Sequence, residues 1–380
     1  MPGYVNNPAA SLARRPRTLL MLGDQQIDFE SIEVMHSGVH QAGTFSAVIP
    51  SRPGNDIGQW GWWFSQGVII LDVYSGFPSD VQNFSSDSLT RLCKIRVDEV
   101  QLEAGQNRIH VGGRDLSAIL IDKKTDGQFQ NQTSSQVAQQ FAAAAGLNAQ
   151  IQTTNTKIGT FYSQDYVHVA HEHTEWALLV YLARKEGFDV YVLGDTLYFG
   201  QFGNSDNSNY LIQFTPADQE NASHQCNAMR LDFSHDLTLA RDVIVTVLYH
   251  NTKTGKASSV KVRSSGGQAK AVRGMSPILP TSAADAQNYV YTFHNLSPQQ
   301  AMDKATQLAQ EIARHELNME AELPGDDLLY PWVPIEIQGT GTVFDQTFYP
   351  SAVERRISPD TYTMMVTAKN HPTGTEASLD

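Results

Sequence analysis

The stretch Ser31–Pro50, SIEVMHSGVHQAGTFSAVIP, decides how the chain reads. Ile32 and Val34 alternate with polar neighbours, and so do Phe45, Ala47 and Ile49. Successive side chains of a strand point to opposite faces, so apolar residues at period two place one face of each segment on a core. The residues between, Ser37–Gly43, have turn composition, and a hairpin is expected. Outward from this hairpin the β character continues over residues 18–115. Val68–Tyr74, Leu92–Gln101 and Arg108–Val111 read as further strands, the last closed by a turn at Gly112-Gly113. Residues 50–66 and 75–90, rich in Gly, Ser, Pro and Asn, read as loops projecting from a sheet.

The pattern then changes. Thr133-Ser134-Ser135-Gln136 has capping-box spacing, and the helix it starts carries Val137 and Phe141 one turn apart and stops at Gly146. A second helix begins near Thr174, shows Leu178, Leu179 and Leu182 on one face, and stops at Gly187. Phe188–Leu193 and Thr196–Phe199, joined by Gly194-Asp195, read as a two-residue hairpin. Period two returns at Val243, Val245, Val247 and Tyr249, at Val260 and Val262, and at Tyr289, Tyr291 and Phe293. A long helix is expected from Ser297-Pro298, with Ala301, Ala305, Leu308, Ile312 and Met319 as its stripe and Leu323-Pro324-Gly325 as its end. Strands follow at Val333–Gln338, Val353–Ile357 and Tyr362–Ala368. Residues 264–287 read as a long loop and the tail after Asn370 as frayed. The expected class is β-rich α+β. The expected layout is an arm (1–17), a β domain (18–115), an α+β insert (116–224), a second β domain with one helix (225–370) and a tail (371–380).

Composition narrows the function classes. The 380 residues are 41% hydrophobic and 18% charged, too apolar for a disordered chain. No run approaches the roughly 18 apolar residues of a membrane helix. Arg14, Arg15 and Arg17 precede only the short run Thr18–Leu22, so no cleaved secretion signal is expected. Twenty-seven basic residues against 40 acidic ones give a net charge of −13, which repels polyanions and argues against a groove-reading nucleic-acid binder. Cys93 and Cys226 are too few for a disulfide framework and point to a reducing compartment.

Sites of chemistry are scarce. His168, His171 and His173 form the strongest metal-like cluster, yet they lack metalloprotease spacing, and they read first as solvated histidines of a polar loop entering the Thr174 helix and only weakly as metal ligands. No metal or other cofactor is expected. Cys93 sits in a strand with no adjacent base and reads as a structural thiol. Gly112-Gly113-Arg114-Asp115 lacks phosphate-loop spacing and reads as a turn with a local Arg–Asp pair; Asp326-Asp327 reads as turn chemistry. Trp60, Trp62, Trp63 and Phe64 concentrate three of five tryptophans, as a satellite core, a protein interface or a sugar-stacking surface. The basic arm residues Arg14, Arg15 and Arg17 join them as candidate interface positions.

Several segments together resemble one family. They are Phe45–Pro50 (FSAVIP) with Ile57-Gly58 and Gly67–Val73, Gly113–Asp122 (GRDLSAILID) leading to Thr133–Ala138, and Thr174–Leu179 with Leu182-Ala183 and Glu186-Gly187-Phe188. Leu323–Asp326 (LPGD), Gly339–Asp345 (GTGTVFD) and Tyr362–Met364 complete the set. Across roughly residues 20–370 the chain resembles the phage late control protein D / tail baseplate hub family, which is related to the hub portion of type VI secretion spikes. The resemblance implies a homotrimer in which each chain supplies two tube-type β-barrel domains, so that three chains mimic a six-fold ring. It implies an adaptor between a six-fold tail tube and a three-fold spike or tip, with an insert that in some relatives is LysM-like. The implied partners are the tube or distal tail protein, the spike or tip protein and baseplate neighbours, with genomic DNA passing through the lumen unbound. The implied location is the tail tip or baseplate of the virion, after assembly in the host cytoplasm. A lysozyme or spike domain, fused in some relatives, would here be a separate chain. The alternatives are a carbohydrate-binding tail module for cell wall or receptor and, further off, a peptidoglycan-cleaving tail enzyme. The family supplies no catalytic residues.

Overall fold

A computed structural model describes residues 4–6, 15–51, 59–125, 129, 131–155, 174–201, 208–217, 223–235, 243–251, 256–264, 287–294, 301–302, 304–306, 308 and 317–370. The first β portion contains β1 (Arg17–Leu22), β2 (Gln25–Ile27), β3 (Ser31–Ser37), β4 (Thr44–Pro50), β5 (Ile70–Gly76), β6 (Thr90–Glu103) and β7 (Arg108–Asp115), with one short helix, α1 (Trp60–Ser65). The insert holds α2 (Ala118–Asp122), α3 (Ser134–Ala144), β8 (Asn148–Ile151), α4 (Glu175–Glu186), β9 (Asp189–Leu193) and β10 (Thr196–Gly200). After it come β11 (Tyr210–Thr215), β12 (Gln225–Cys226), β13 (Arg230–His235), β14 (Val243–Asn251), β15 (Lys256–Ser264), β16 (Gln287–His294), β17 (Leu317–Pro324), β18 (Ile335–Gln338), β19 (Thr347–Ile357) and β20 (Tyr362–Lys369). Strands outweigh helices in the two β portions, as the sequence pattern requires, and helices outweigh strands in the insert.

Fourteen strands form one sheet. Its central run, in order β13-β17-β20-β19-β3-β4-β7-β6, is antiparallel at every step. The run is a tandem repeat of topology. Labelled a, b, c, d in chain order, β3, β4, β6, β7 lie side by side as a-b-d-c, and β13, β17, β19, β20 lie as a-b-d-c again. Strand c of the second set pairs with strand a of the first, Ala352–Ile357 against Ile32–Ser37. Among the described residues the pairings leave this sheet open and close no barrel.

The buried face of the run carries one hydrophobic core, from Leu20, Ile32, Val34, Phe45 and Ile95 to Met319, Phe348, Val353, Met364 and Val366. The insert has its own core around Leu120, Val137, Phe141, Leu179, Leu182, Val190 and Phe199. A third, small core lies between the separate sheet β15-β14-β16 and the helical residues 301–302, 304–306 and 308: Val245, Val247 and Tyr249 against Ala301, Ala305 and Leu308. α3 and α4 start where the sequence puts them, and α2 is an addition to the expected elements. Thr133 accepts from the Gln136 N–H and Gln136 reaches back to the Thr133 N–H, completing the capping box; Thr174 accepts from the Ala177 N–H, and α4 ends on Gly187 at φ 69°.

Four expectations are corrected. Gly112-Gly113 is not a turn, because β7 runs through both. There β6 is bulged between Val97 and Glu99 and its backbone comes so close that a Cβ on Gly113 would lie 2.3 Å from the Arg96 carbonyl oxygen. The stretch 50–66 contains α1, fixed by a buried Trp63. Met319 belongs to strand β17, not to the stripe of the long helix, and Leu323-Pro324-Gly325 ends a strand. The period-two burial of Leu317, Met319, Ala321 and Leu323 on the sheet overrides the helical spacing of Leu308 and Met319. Lastly, Arg114 does not pair with Asp115: it reaches Asp98 at 2.6 Å and Asp122 at 3.2 Å. Asp115 instead accepts from the Gly43 N–H at 2.6 Å and the Ser117 N–H at 2.9 Å, bracing the entry to α2. The expected loop at 264–287, apart from its flanking strand ends, and the expected tail lie outside the described residues.

Gly113→Ala is expected to destabilise the chain by about 1–3 kcal/mol through overpacking. Gly112→Ala, whose Cβ would meet nothing within 4 Å, should stay within about 0.5 kcal/mol of wild type. Urea unfolding of the two variants checks the difference.

Candidate functional site

The site is a surface, and its layout follows from strand register. Residues directly opposite one another in the run share a face. One rung reads Arg230, Glu322, Met365, Glu354, Met35, Thr44, Arg114, Arg96; another reads Thr363, Arg356, Glu33, Ser46, Gly112, Glu99. This is the solvent face. On its β13–β3 half, Asp232, Glu320, Glu322, Glu354 and Glu33 outnumber Arg230, Arg356 and Lys369. Arg356 donates to Glu354 at 2.7 Å and feels Glu33 and Glu322 as well. The surface is polar and continuous across both topological repeats: its β13–β3 half is acidic, and over β4, β7 and β6 Arg96, Arg108 and Arg114 stand among Glu99 and Glu103.

Directly behind it lies a polar node in the core. Arg355, the neighbour of the exposed Arg356, is 0% exposed. Its guanidinium donates to the Asp326 carbonyl at 3.3 Å, to the Leu329 carbonyl and to His36 Nδ1 at 3.0 Å, and lies 4.8 Å from the centre of the Tyr330 ring. Arginine has no acceptor, so His36 Nδ1 must accept; His36 Nε2 then carries the proton and donates to the Leu92 carbonyl at 3.0 Å. Burial, helped by Arg355, holds the His36 pKa down to about 3. The Tyr362 hydroxyl donates to the Asp326 carbonyl at 2.6 Å, and the Tyr210 hydroxyl to the Asp326 carboxylate at 2.8 Å. That carboxylate also accepts from the Leu328 and Leu329 N–H groups, so the expected turn chemistry at Asp326 is joined to an anchor for Arg355.

Two of the segments quoted for the family resemblance touch this node, Leu323–Asp326 through Asp326 and Tyr362–Met364 through Tyr362. Gly325 lies so close to the Tyr362 ring that a Cβ would come within 2.2 Å of it. In Gly339–Asp345 the Asp345 carboxylate gathers the Thr340 N–H at 2.8 Å, the Gly341 N–H at 2.9 Å and the Thr340 hydroxyl at 2.7 Å. Gly339, at φ 92°, leaves no room for a Cβ against the Phe214 carbonyl. Cys93 is buried in β6, and burial pushes its thiol pKa up, away from reactivity.

The candidate residues fall in different places. α1 separates the aromatic cluster: Trp63 is 1% exposed in the core and Trp62 packs edge-on against it at 5.2 Å, whereas Trp60 and Phe64, one turn apart, are 42% and 58% exposed. Trp60 Nε1 donates to Ser51 Oγ at 2.8 Å. Arg17 donates to the Val81 carbonyl at 2.9 Å and lies 5.9 Å from the Phe84 ring centre, so it ties down the 81–84 segment; Arg15 is exposed. Arg14, His168, His171 and His173 lie outside the described residues. Among the described residues no three His, Cys, Asp or Glu side chains are grouped to hold a metal, and no helix is long and apolar enough to cross a membrane. The node of Arg355, His36 and Asp326 was missed from sequence. Its one signal was His36 at a core-facing position of β3.

The same arrangement occurs in solved structures. The chain superposes on the tail protein from Neisseria meningitidis MC58 with a TM-score of 0.63, 14% identity, and coverage of 95% of this chain and 98% of that one. The 43 kDa tail protein of prophage MuSo2 from Shewanella oneidensis gives 0.62, 12%, and again 95% and 98%. The fold is that of phage tail proteins. A chain of the Francisella PdpA-VgrG complex is similar at a TM-score of 0.52 and 7% identity, over 96% of this chain and 60% of that one. No family model matches the sequence, and no curated protein matches it. At these identities the likeness is one of fold.

Trp63→Ala is expected to cost about 3–5 kcal/mol of stability. Trp60→Ser with Phe64→Ser should unfold within about 0.5 kcal/mol of wild type yet weaken assembly. Equal destabilisation of both variants in urea would make the exposed pair part of the core.

Proposed function

We propose that this chain is a structural tail protein of a phage: a baseplate hub that assembles as a homotrimer, adapts a six-fold tail tube to a three-fold spike or tip, and lines the channel through which DNA leaves. The carrying observation is the tandem a-b-d-c topology. One chain holds two copies of the same four-strand unit, joined by pairing of strand c with strand a. Three such chains present six units, which is how a three-fold object meets a six-fold one. Each unit is a tube-type domain in this reading, and the barrel closes between chains. The edges needed are at hand. Among the described pairings β13 has one neighbour only, and the second half of β6, from Asp98 on, has β7 alone. These are the strands equivalent to β3 and β19, which already pair inside the chain. Free strand edges of this kind invite pairing with another chain.

The solvent face of the run is then the channel wall. The excess of carboxylates on its β13–β3 half suits a duct for DNA, since like charge keeps a polyanion from sticking. Spike or tip, tube and baseplate neighbours are the partners in this reading, and the virion tail the location. It assigns the chain no catalysis. The exposed Trp60 and Phe64 favour a second use, stacking on cell-wall or receptor sugar, which saturable binding of the purified chain to host cells would reveal.

Light scattering of the purified chain with negative-stain images of the same peak tests the assembly. A mass near three chains and rings with a central hole are expected; a monomer that stays monomeric when co-expressed with its spike would remove the hub reading. For the channel, Glu33→Lys with Glu320→Lys and Glu354→Lys is expected to slow genome ejection from assembled particles. Unchanged ejection kinetics would place the DNA path elsewhere.

A further inference from the structure

The insert meets the large sheet at α2, where Arg96 and Arg114 reach Asp122, and through the hairpin β9–β10 and the turn before it. His40, at the β3–β4 turn, donates its N–H to the Val190 carbonyl at 2.8 Å and its ring Nε2 to the Phe188 carbonyl at 3.1 Å. It does so from φ 75°, a left-handed conformation that costs a non-glycine residue about 1–3 kcal/mol. Arg91 of β6 reaches Asp195, in the hairpin turn, at 3.3 Å. The third contact is a column of stacked rings. Tyr330 lies 4.8 Å from Trp332, Trp332 lies 4.5 Å from Tyr191 of β9, and Tyr191 lies 4.8 Å from Tyr198 of β10. The column is rooted in the node, because Tyr330 carries Arg355 on its face and meets His36 edge-on at 5.1 Å.

His36 also faces the insert directly. A cavity of about 10 Å³ has His36, Cys93, Lys94 and Asp115 on the sheet side and Leu193 and Gly194 on the insert side. That is close to the least space that holds one water. We propose that the insert is held to the sheet by an acid-sensitive catch: a proton taken up at His36 Nδ1 sets donor against donor at Arg355, disturbs the Tyr330–Trp332–Tyr191 column and frees the β9–β10 hairpin before the sheet unfolds. The catch is independent of the hub reading and operates in a single chain.

The surroundings of His36 are fixed. Arg355 on β19 opposes a second positive charge at 3.0 Å. Lys94 on β6 lines the same cavity, and Cys93 beside it stays a neutral thiol. Asp115 on β7 would favour the proton, but its carboxylate is committed to Gly43 and Ser117. Asp326 is committed to Tyr210 and its own turn, and Tyr330 and Tyr362 remain neutral. The sign follows. Closed, the catch binds no proton at His36 until about pH 3; opened to water, a histidine binds one below about pH 6.5. The open state therefore takes up the extra proton, and the closed state loses ground as pH falls from about 6.5, up to about tenfold per pH unit.

Hydrogen exchange of the full chain, corrected for the intrinsic pH dependence, tests this. Between pH 6.5 and 4.5 the protection of 188–200 is expected to fall up to about 100-fold while β3 and β19 stay protected. His36→Gln, whose amide can accept from Arg355 and donate to Leu92 but takes no proton, should hold that protection flat. If the hairpin and the sheet lose protection together, or if His36→Gln keeps the wild-type profile, the catch does not exist. Should His36→Gln fail to fold, Trp332→Ala decides. Low hairpin protection already at pH 7, no longer falling with acid, supports the column as the coupling; a wild-type profile overturns it.

Discussion

A fully buried guanidinium constrains everything around it. Taking an ion from water costs several kcal/mol, and removing one partner of a buried pair leaves the other uncompensated, at about 3–5 kcal/mol. Arg355 can be buried only if five surroundings converge at once: His36 from β3 with the Leu92 carbonyl of β6 behind it, the Asp326 and Leu329 carbonyls, the Tyr330 face, the Asp326 carboxylate and the Tyr362 hydroxyl of β20. The node lies at the β19–β3 junction, where the two four-strand units meet. A slip of one residue in that register would bring Arg356 inside and Arg355 out, so the node and the register specify each other.

From that junction the two faces of the run have separate duties. Inward residues of all eight strands merge into one core, so neither four-strand unit is packed without the other. Outward residues keep a polar wall that crosses the junction, acidic on its β13–β3 half and mixed in charge over β4, β7 and β6. The insert hangs on the same centre through the ring column, and a single interior cluster thereby links the junction, the wall behind which it lies, and the appended module. The glycines with tight surroundings mark where backbones or rings must approach: Gly113 beside the β6 bulge, Gly325 beneath Tyr362 and Gly339 against Phe214.

Much of this was legible in the residues. Period two at Ile32, Val34, Phe45, Ala47 and Ile49 found β3 and β4, and cap chemistry at Thr133 and Thr174 found α3 and α4, because these signals are local. Three kinds of feature were not legible. Met319 fits a helical stripe as well as a strand, and only the neighbouring β13 and β20 settle it. Gly112-Gly113 has turn composition, but the need there is for close approach to β6, which the chain one residue at a time does not show. The aromatic cluster was legible as important and not as divided, since which ring turns inward depends on the core beneath α1.

Composition, periodicity and short-range caps were enough for the β-rich class of the fold, the places of most elements and the acidic balance, while the resemblance to tail hub proteins came from particular segments such as Gly113–Asp122 and Leu323–Asp326. Tertiary structure alone decided the a-b-d-c repeat, the pairing of β19 with β3, and the meeting of Arg355, His36 and Asp326. The reason is physical. Pairings between strands hundreds of residues apart, and the hydrogen bonds that make a buried charge tolerable, depend on which segments share a core, and that is set only when the whole chain has collapsed around it.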